Sequence, residues 1–204
     1  MFSEDELSFL SDPSPMLLKL DIFKKLDILF GEVQLTLKSV FSEYDTLFPV
    51  GTDQKRGKIS KGENYLGLPW MMLDFPALFS KTSTFAIRNF CWWGNHFACY
   101  ILIGGEALEL YKNTLLTELN PGSGISFIQS NDPWKHKVEA NELRKLDTAE
   151  IKRQIEEYGF IKLYATWPLF EAGALPPLVK NFVTEAGLLA GFLIEQHPDG
   201  KVHP

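Results

Sequence analysis

Between Phe85 and Gly105 the chain reads FAIRNFCWWGNHFACYILIGG, two runs of aromatic, aliphatic and β-branched residues flanking Gly94-Asn95. Glycine at the first central position suits a two-residue type II′ turn, so the segment is expected to form a β-hairpin. In that register Trp93 faces His96, Cys91 faces Ala98, Asn89 faces Tyr100 and Ile87 faces Leu102. Side chains alternate along a strand. One face would therefore carry Phe85, Ile87, Asn89, Cys91, Trp93, His96, Ala98, Tyr100 and Leu102, and the other Ala86, Arg88, Phe90, Trp92, Phe97, Cys99, Ile101 and Ile103. Both faces are mainly apolar, which requires a central hairpin covered on two sides. A slip of one residue would exchange every pairing between the faces.

The same register puts Cys91 and Cys99 on opposite faces, where their Cβ atoms diverge and no disulfide is expected. Neither cysteine has CxxC spacing and no apolar secretory segment follows Met1, which fits a reducing, cytoplasmic setting. With 204 residues, 45% of them hydrophobic, the chain can bury one full core, so a single domain over 1–204 is expected, flexible at 1–13 and 196–204. A net charge of −6 argues against a nucleic-acid partner, which usually asks for a basic stripe. The late apolar run LVKNFVTEAGLLAGFLIEQ is broken by Lys180, Asn181, Thr184 and Glu185 and reads as a buried helix, not a membrane span.

The N-terminus is an acidic, poorly periodic stretch followed by Asp12-Pro13-Ser14-Pro15, where Ser14 can cap a helix and Pro15 can occupy its first turn. From Met16 the residues Leu18, Ile22, Leu26, Leu29 or Phe30, Val33, Leu37 and Phe41 recur at the helical period. They predict one long helix, or two divided at Gly31, ending near Tyr44. The glycine-punctuated segment from Pro49 to Pro76 lacks P-loop spacing. It reads as a loop with its lysines outward, in which Arg56, Lys58 and Lys61 are candidates for binding an anion. The apolar cluster Trp70 to Phe79 is expected to be an extended segment covering the sheet.

After Gly104-Gly105, the residues Leu108, Tyr111, Leu115 and Leu119 support a helix, while local alternation leaves a strand open. The GSG at Gly122 to Gly124 reads as a connection, and Ile125 to Gln129 as a short strand. Asp147 with Glu150 reads as a capping box opening a helix that Gly159 stops. FIKLYATW alternates as a further strand, and Pro176-Pro177 begins the final helix. The fold predicted is α+β: a mostly antiparallel sheet with a central hairpin, containing Phe85 to Trp92, Phe97 to Ile103 and Phe160 to Trp167, packed against N-terminal and C-terminal helices.

Motifs for chemistry are absent: there is no HExxH, GxSxG or EF-hand loop, and the four histidines have no metal spacing. No catalytic residue, metal or cofactor is therefore assigned. His136 sits in the charged run WKHKVE and is expected in solvent, and His197 and His203 lie in a polar tail. Arg88, Asn89, Trp92, Trp93, His96 and Tyr100 on the hairpin are the candidates for holding a ligand. Arg88, among Phe90, Trp92 and Ile101, needs a carboxylate, a carbonyl or a ligand anion, with an ion pair as its first explanation. Asn89, Cys91, His96 and Tyr100 share one predicted face, where an acid such as Asp74 or Glu106 could join them, but a flat hairpin holds Cys91 and His96 too far apart for a nucleophile and base.

Three function classes follow. An interaction or accessory protein, a homodimer among the options, needs only an exposed helix face or the strip from Trp70 to Phe79. A module for a small aromatic or anionic ligand needs the hairpin candidates to converge on a concave site. An enzyme would need in addition a base or nucleophile with a shifted pKa.

Overall fold

The computed structural model of the chain describes residues 1–117 and 124–196. The expectations for Leu119, Gly122, His197, His203 and the end of the polar tail lie outside the described residues. In chain order the helices are α1 (Glu4–Ser11), α2 (Ser14–Glu43), α3 (Glu106–Thr117), α4 (Thr148–Tyr158) and α5 (Leu175–Ala190). The strands are β1 (Asp45–Thr46), β2 (Lys58–Tyr65), β3 (Leu68–Phe79), β4 (Ser83–Trp92), β5 (His96–Gly105), β6 (Ser126–Ile128), β7 (Leu143–Lys145), β8 (Phe160–Pro168) and β9 (Leu193–Ile194). A 3₁₀ segment, Leu169–Ala174, joins β8 to α5.

Seven strands form one sheet in the order β2-β3-β4-β5-β8-β6-β7, with every adjacent pair antiparallel. The α+β class, the central hairpin and the helices at both ends agree with the sequence reading. Helices gather on one face. There Phe30, Val33 and Leu37 of α2 meet Leu73, Ile87, Ile101 and Leu163 of the sheet, and Val179 and Val183 of α5 complete the layer. The 30-residue α2 is continuous through Gly31, and its N-terminal proline stands in the first turn. Ser14 is the first helical residue and not the cap: Pro13 stands at the N-cap with no side-chain cap bond, and the Asp12 carboxylate before it accepts the Ser14 amide at 2.9 Å. β1 pairs with β9, tying the end of α2 to the end of α5. No described helix is long and apolar enough to cross a membrane.

The hairpin turn departs from expectation. Trp92, not Trp93, pairs with His96, followed by Cys91 with Phe97, Phe90 with Ala98, Asn89 with Cys99, Arg88 with Tyr100 and Ile87 with Ile101. The Asn95 amide donates to the Trp92 carbonyl at 3.1 Å, and Gly94 has a φ of 70°. Glycine thus serves the third position of a type II turn, not the first central position of a type II′ turn, and the loop gains a residue. Every pairing across β4 and β5 shifts with it. Phe85, Ile87, Asn89 and Cys91 now share the helix face with Phe97, Cys99, Ile101 and Ile103. Cys91 and Cys99 consequently lie on one face, and both are free thiols. Their separation follows from a diagonal position: Cys99 faces Asn89, two residues from Cys91.

Two more elements differ from the sequence reading. The segment from Trp70 to Phe79 does not cover the sheet but lies within it, between β2 and β4. Part of the supposed loop before it forms the edge strand β2, whose Lys58 and Lys61 do point outward. That strand is polar and largely exposed, so the alternation that would reveal it is weak. The acidic start of the chain is a helix. Ser3 and Glu6 form a reciprocal capping box, with Glu6 N to Ser3 Oγ at 3.2 Å and Ser3 N to Glu6 Oε2 at 2.7 Å.

Candidate functional site

The corrected register divides the ligand candidates. Arg88, Trp92, His96 and Tyr100 lie on the sheet face away from the helices. Asn89 is buried on the helix face, and Trp93 sits in the turn against Phe23 of α2, with ring centroids 4.9 Å apart. The constellation of Asn89, Cys91, His96 and Tyr100 is therefore split between two faces. Burial pushes the Cys91 thiol up to about 12 and the Cys99 thiol higher, so neither is a thiolate nucleophile at neutral pH.

On the loop face, strand pairing brings Asp74 directly opposite Arg88. Arg88 donates through Nε to Oδ1 at 2.6 Å and through Nη2 to Oδ2 at 3.0 Å, a bidentate pair with both residues buried. Phe79 and Trp134 lie over the guanidinium. The ion pair anticipated from sequence is thus Asp74. Lys162 of β8 is buried beside it and donates to the Pro133 carbonyl at 3.1 Å and the Lys135 carbonyl at 2.5 Å, with Nζ 4.4 Å from the Tyr100 ring centre. Burial and the nearby Arg88 charge bring its pKa down to about 7.

The segment supplying those carbonyls is pinned over the sheet. The Tyr65 hydroxyl accepts from the His136 amide at 3.0 Å and the Lys137 amide at 2.8 Å, and the Tyr100 hydroxyl donates to the His136 carbonyl at 3.0 Å. The His136 ring stacks on Phe90 at 4.5 Å. It is therefore not a solvent histidine, and burial depresses its pKa to about 3, leaving a neutral imidazole at physiological pH. This face is occupied by its own chain: Arg88, Lys162 and Tyr100 all have internal partners. The sequence offered one overlooked signal, a lysine between Ile161 and Leu163 on the alternating strand.

The basic candidates do not converge either. Arg56, Lys58 and Lys61 are exposed; the Asp53 carboxylate takes the Lys55 and Arg56 amides, and Lys61 lies 5.2 Å from the Phe23 ring centre. Among the described residues no group of three or more histidine, cysteine, aspartate or glutamate side chains stands where it could hold a metal ion.

An apolar concave surface opens instead at the hairpin tip. A groove of about 320 Å³ runs between α2, the turn and the 3₁₀ segment. Ile22, Lys25 and Leu29 of α2 form one wall, Trp93 and Phe97 the floor, and Leu169 and Ala172 the other wall. Lys25 is its one charged lining residue, and it is exposed. Sequence reasoning found Trp93 but missed the rest, because three distant segments supply them.

Immediately N-terminal to that groove is an unpacked helical arm. None of the α1 residues is buried. Phe2, Leu7, Phe9 and Leu10, with Met16, Leu17, Leu18 and Leu20 at the start of α2, are each between 46% and 66% exposed. At roughly 150–250 Å² for a large aromatic side chain, this is on the order of several hundred Å² of apolar surface, the scale at which exposed patches mark interaction sites. Farther along, the Lys19–Glu63 ion pair ties α2 to β2.

Compared with protein-family models, with curated proteins and with solved structures, the chain matches none.

Proposed function

We propose that this chain is an interaction protein whose docking element is the N-terminal arm, and that self-association is one association the arm supports. The observation carrying the reading is the density of exposed large apolar side chains on a helix that is capped by its own residues and buries none of them. A pre-formed helix loses little conformational freedom on docking, and helix-in-groove contacts use such spaced apolar anchors.

Sedimentation velocity of the full chain over a dilution series tests it. The parent chain is expected above monomer mass at the higher concentrations, and Leu10→Glu is expected to shift it to monomer. Because Leu10 makes no buried contact, the unfolding free energy should change by less than about 0.5 kcal/mol. Identical sedimentation of parent and variant would remove the arm as the docking element.

A second reading, a binding module for a small ligand, is supported by the groove, whose volume and apolar lining fall within the range for small-molecule sites. Its residues are Trp93, Phe97 and Ile22 with Lys25 at the edge, so an apolar body carrying an anionic group is the chemistry it favours. Native mass spectrometry of freshly purified protein would reveal a retained adduct, lost on Trp93→Ala; an adduct indifferent to that change would count against the groove.

A further inference from the structure

We infer that the groove at the hairpin tip is the receptor for the N-terminal helix of a second copy of this chain, so that two chains exchange arms reciprocally. The inference rests on the proposed docking role of the arm and adds where the arm goes.

The two surfaces match in spacing. Phe2, just before α1, and Asp5, Glu6 and Phe9 on it line one side of the arm. The groove wall on α2 repeats that interval with Ile22, Lys25, Leu26 and Leu29. Both runs have apolar residues seven positions apart, which along α2 is about 10 Å at 1.5 Å per residue. Charged residues fall between them: laid parallel, Asp5 meets Lys25, and laid antiparallel, Glu6 meets Lys25. The first turn of α1 carries Glu4, Asp5 and Glu6, while Lys25 is the one charged residue of the groove, so the pairing is also complementary in sign.

The chain's own arm does not reach this register. Only Asp12 and Pro13 separate α1 from α2. Folding back through that link would place Phe9 beside Met16 and Phe2 beside Phe23. Reaching Ile22 with Phe9 needs a further displacement of six residues along α2, about 9 Å. A second copy has no such tether. Reciprocal exchange between two copies forms two equivalent contacts and closes the assembly.

Mixed light and isotopically heavy chains carrying a photo-crosslinking phenylalanine analogue at position 9 test the inference directly. Crosslinks joining a light arm peptide to a heavy peptide from 22–29, 93–97 or 169–172 are expected. Lys25→Glu should weaken the dimer roughly tenfold or more, and in the same chain Asp5→Lys should restore it for a parallel arm and Glu6→Lys for an antiparallel one. All three positions are exposed, so the core is not at stake. Light–light and heavy–heavy crosslinks alone would mean docking in cis and overturn the inference. Light–heavy crosslinks elsewhere on the partner would overturn the groove assignment while leaving the arm as the docking element. A monomer insensitive to Leu10→Glu at every concentration would overturn both.

Discussion

The two faces of the central sheet are closed by different means. On the helix face α2, α3, α4 and α5 cover an apolar layer in which Asn89 is buried with neither amide atom hydrogen-bonded to the protein. On the other face a smaller apolar cluster of Met72, Phe90, Trp92, Tyr100 and Tyr164 surrounds buried charges and is covered by a pinned loop segment. Helix-face stability depends on volume and area, which neighbouring side chains share. Loop-face stability depends on particular donors and acceptors, since a buried charge without its partner costs far more than a lost apolar contact. The first face tolerates change in degree, whereas the second responds to the loss of a single atom.

The comparison breaks most sharply at the ion pair. Asp74→Ala is expected to cost about 3–5 kcal/mol by leaving Arg88 buried and unpaired, and combining Asp74→Leu with Arg88→Met should recover most of the loss. Chemical denaturation of both variants checks this; equal destabilisation by the single and paired changes would show that packing, not charge, governs the site. On the opposite face Leu37→Ala should cost roughly 2–5 kcal/mol, the value set by the cavity it leaves.

Lys162 sharpens the contrast through pH. In the folded chain it gives up its proton near pH 7, whereas its ordinary value is 10.5. Between those values the unfolded chain binds more protons, so the contribution of Lys162 makes stability rise as pH increases, by an amount on the order of a few kcal/mol. Lys162→Met should flatten that rise in urea midpoints measured at successive pH values. An unchanged slope would mean that the amine is solvated. The smallest effect expected is that of Tyr65→Phe, about 1 kcal/mol for the hydroxyl that accepts from two amides. Faster hydrogen exchange at the His136 and Lys137 amides should accompany it, with exchange on α2 unchanged.

Local signals were legible wherever one short stretch contained the whole cause. Asp147 caps α4 by accepting the Ala149 and Glu150 amides, and Gly159 ends the helix in the left-handed conformation, as the sequence pattern predicts, while the Glu150 carboxylate accepts from Gln129 and Arg153 in place of closing the capping box. The alternation of FIKLYATW and the helical period from Met16 to Phe41 likewise survive in β8 and α2. The hairpin exists, but its turn length was not legible. Both of its faces are apolar, so either register buries hydrophobic side chains and the pattern alone does not choose. β2 escaped notice because an exposed edge strand need not alternate, and α1 because a self-capped helix needs no apolar face against the core.

By itself the sequence determined that a hairpin buried on both sides would stand at the centre of an antiparallel sheet, that helices would flank it, and that Arg88 would need a partner. Those conclusions follow from side-chain polarity and period, which are properties of neighbours along the chain. Tertiary structure alone decided that the partner is Asp74, that Lys162 and His136 are sealed beneath a loop, and that a groove opens where α2, the turn and the 3₁₀ segment meet. Each of these depends on which strand lies beside which and in what register, a choice made by the packing of segments far apart in the chain.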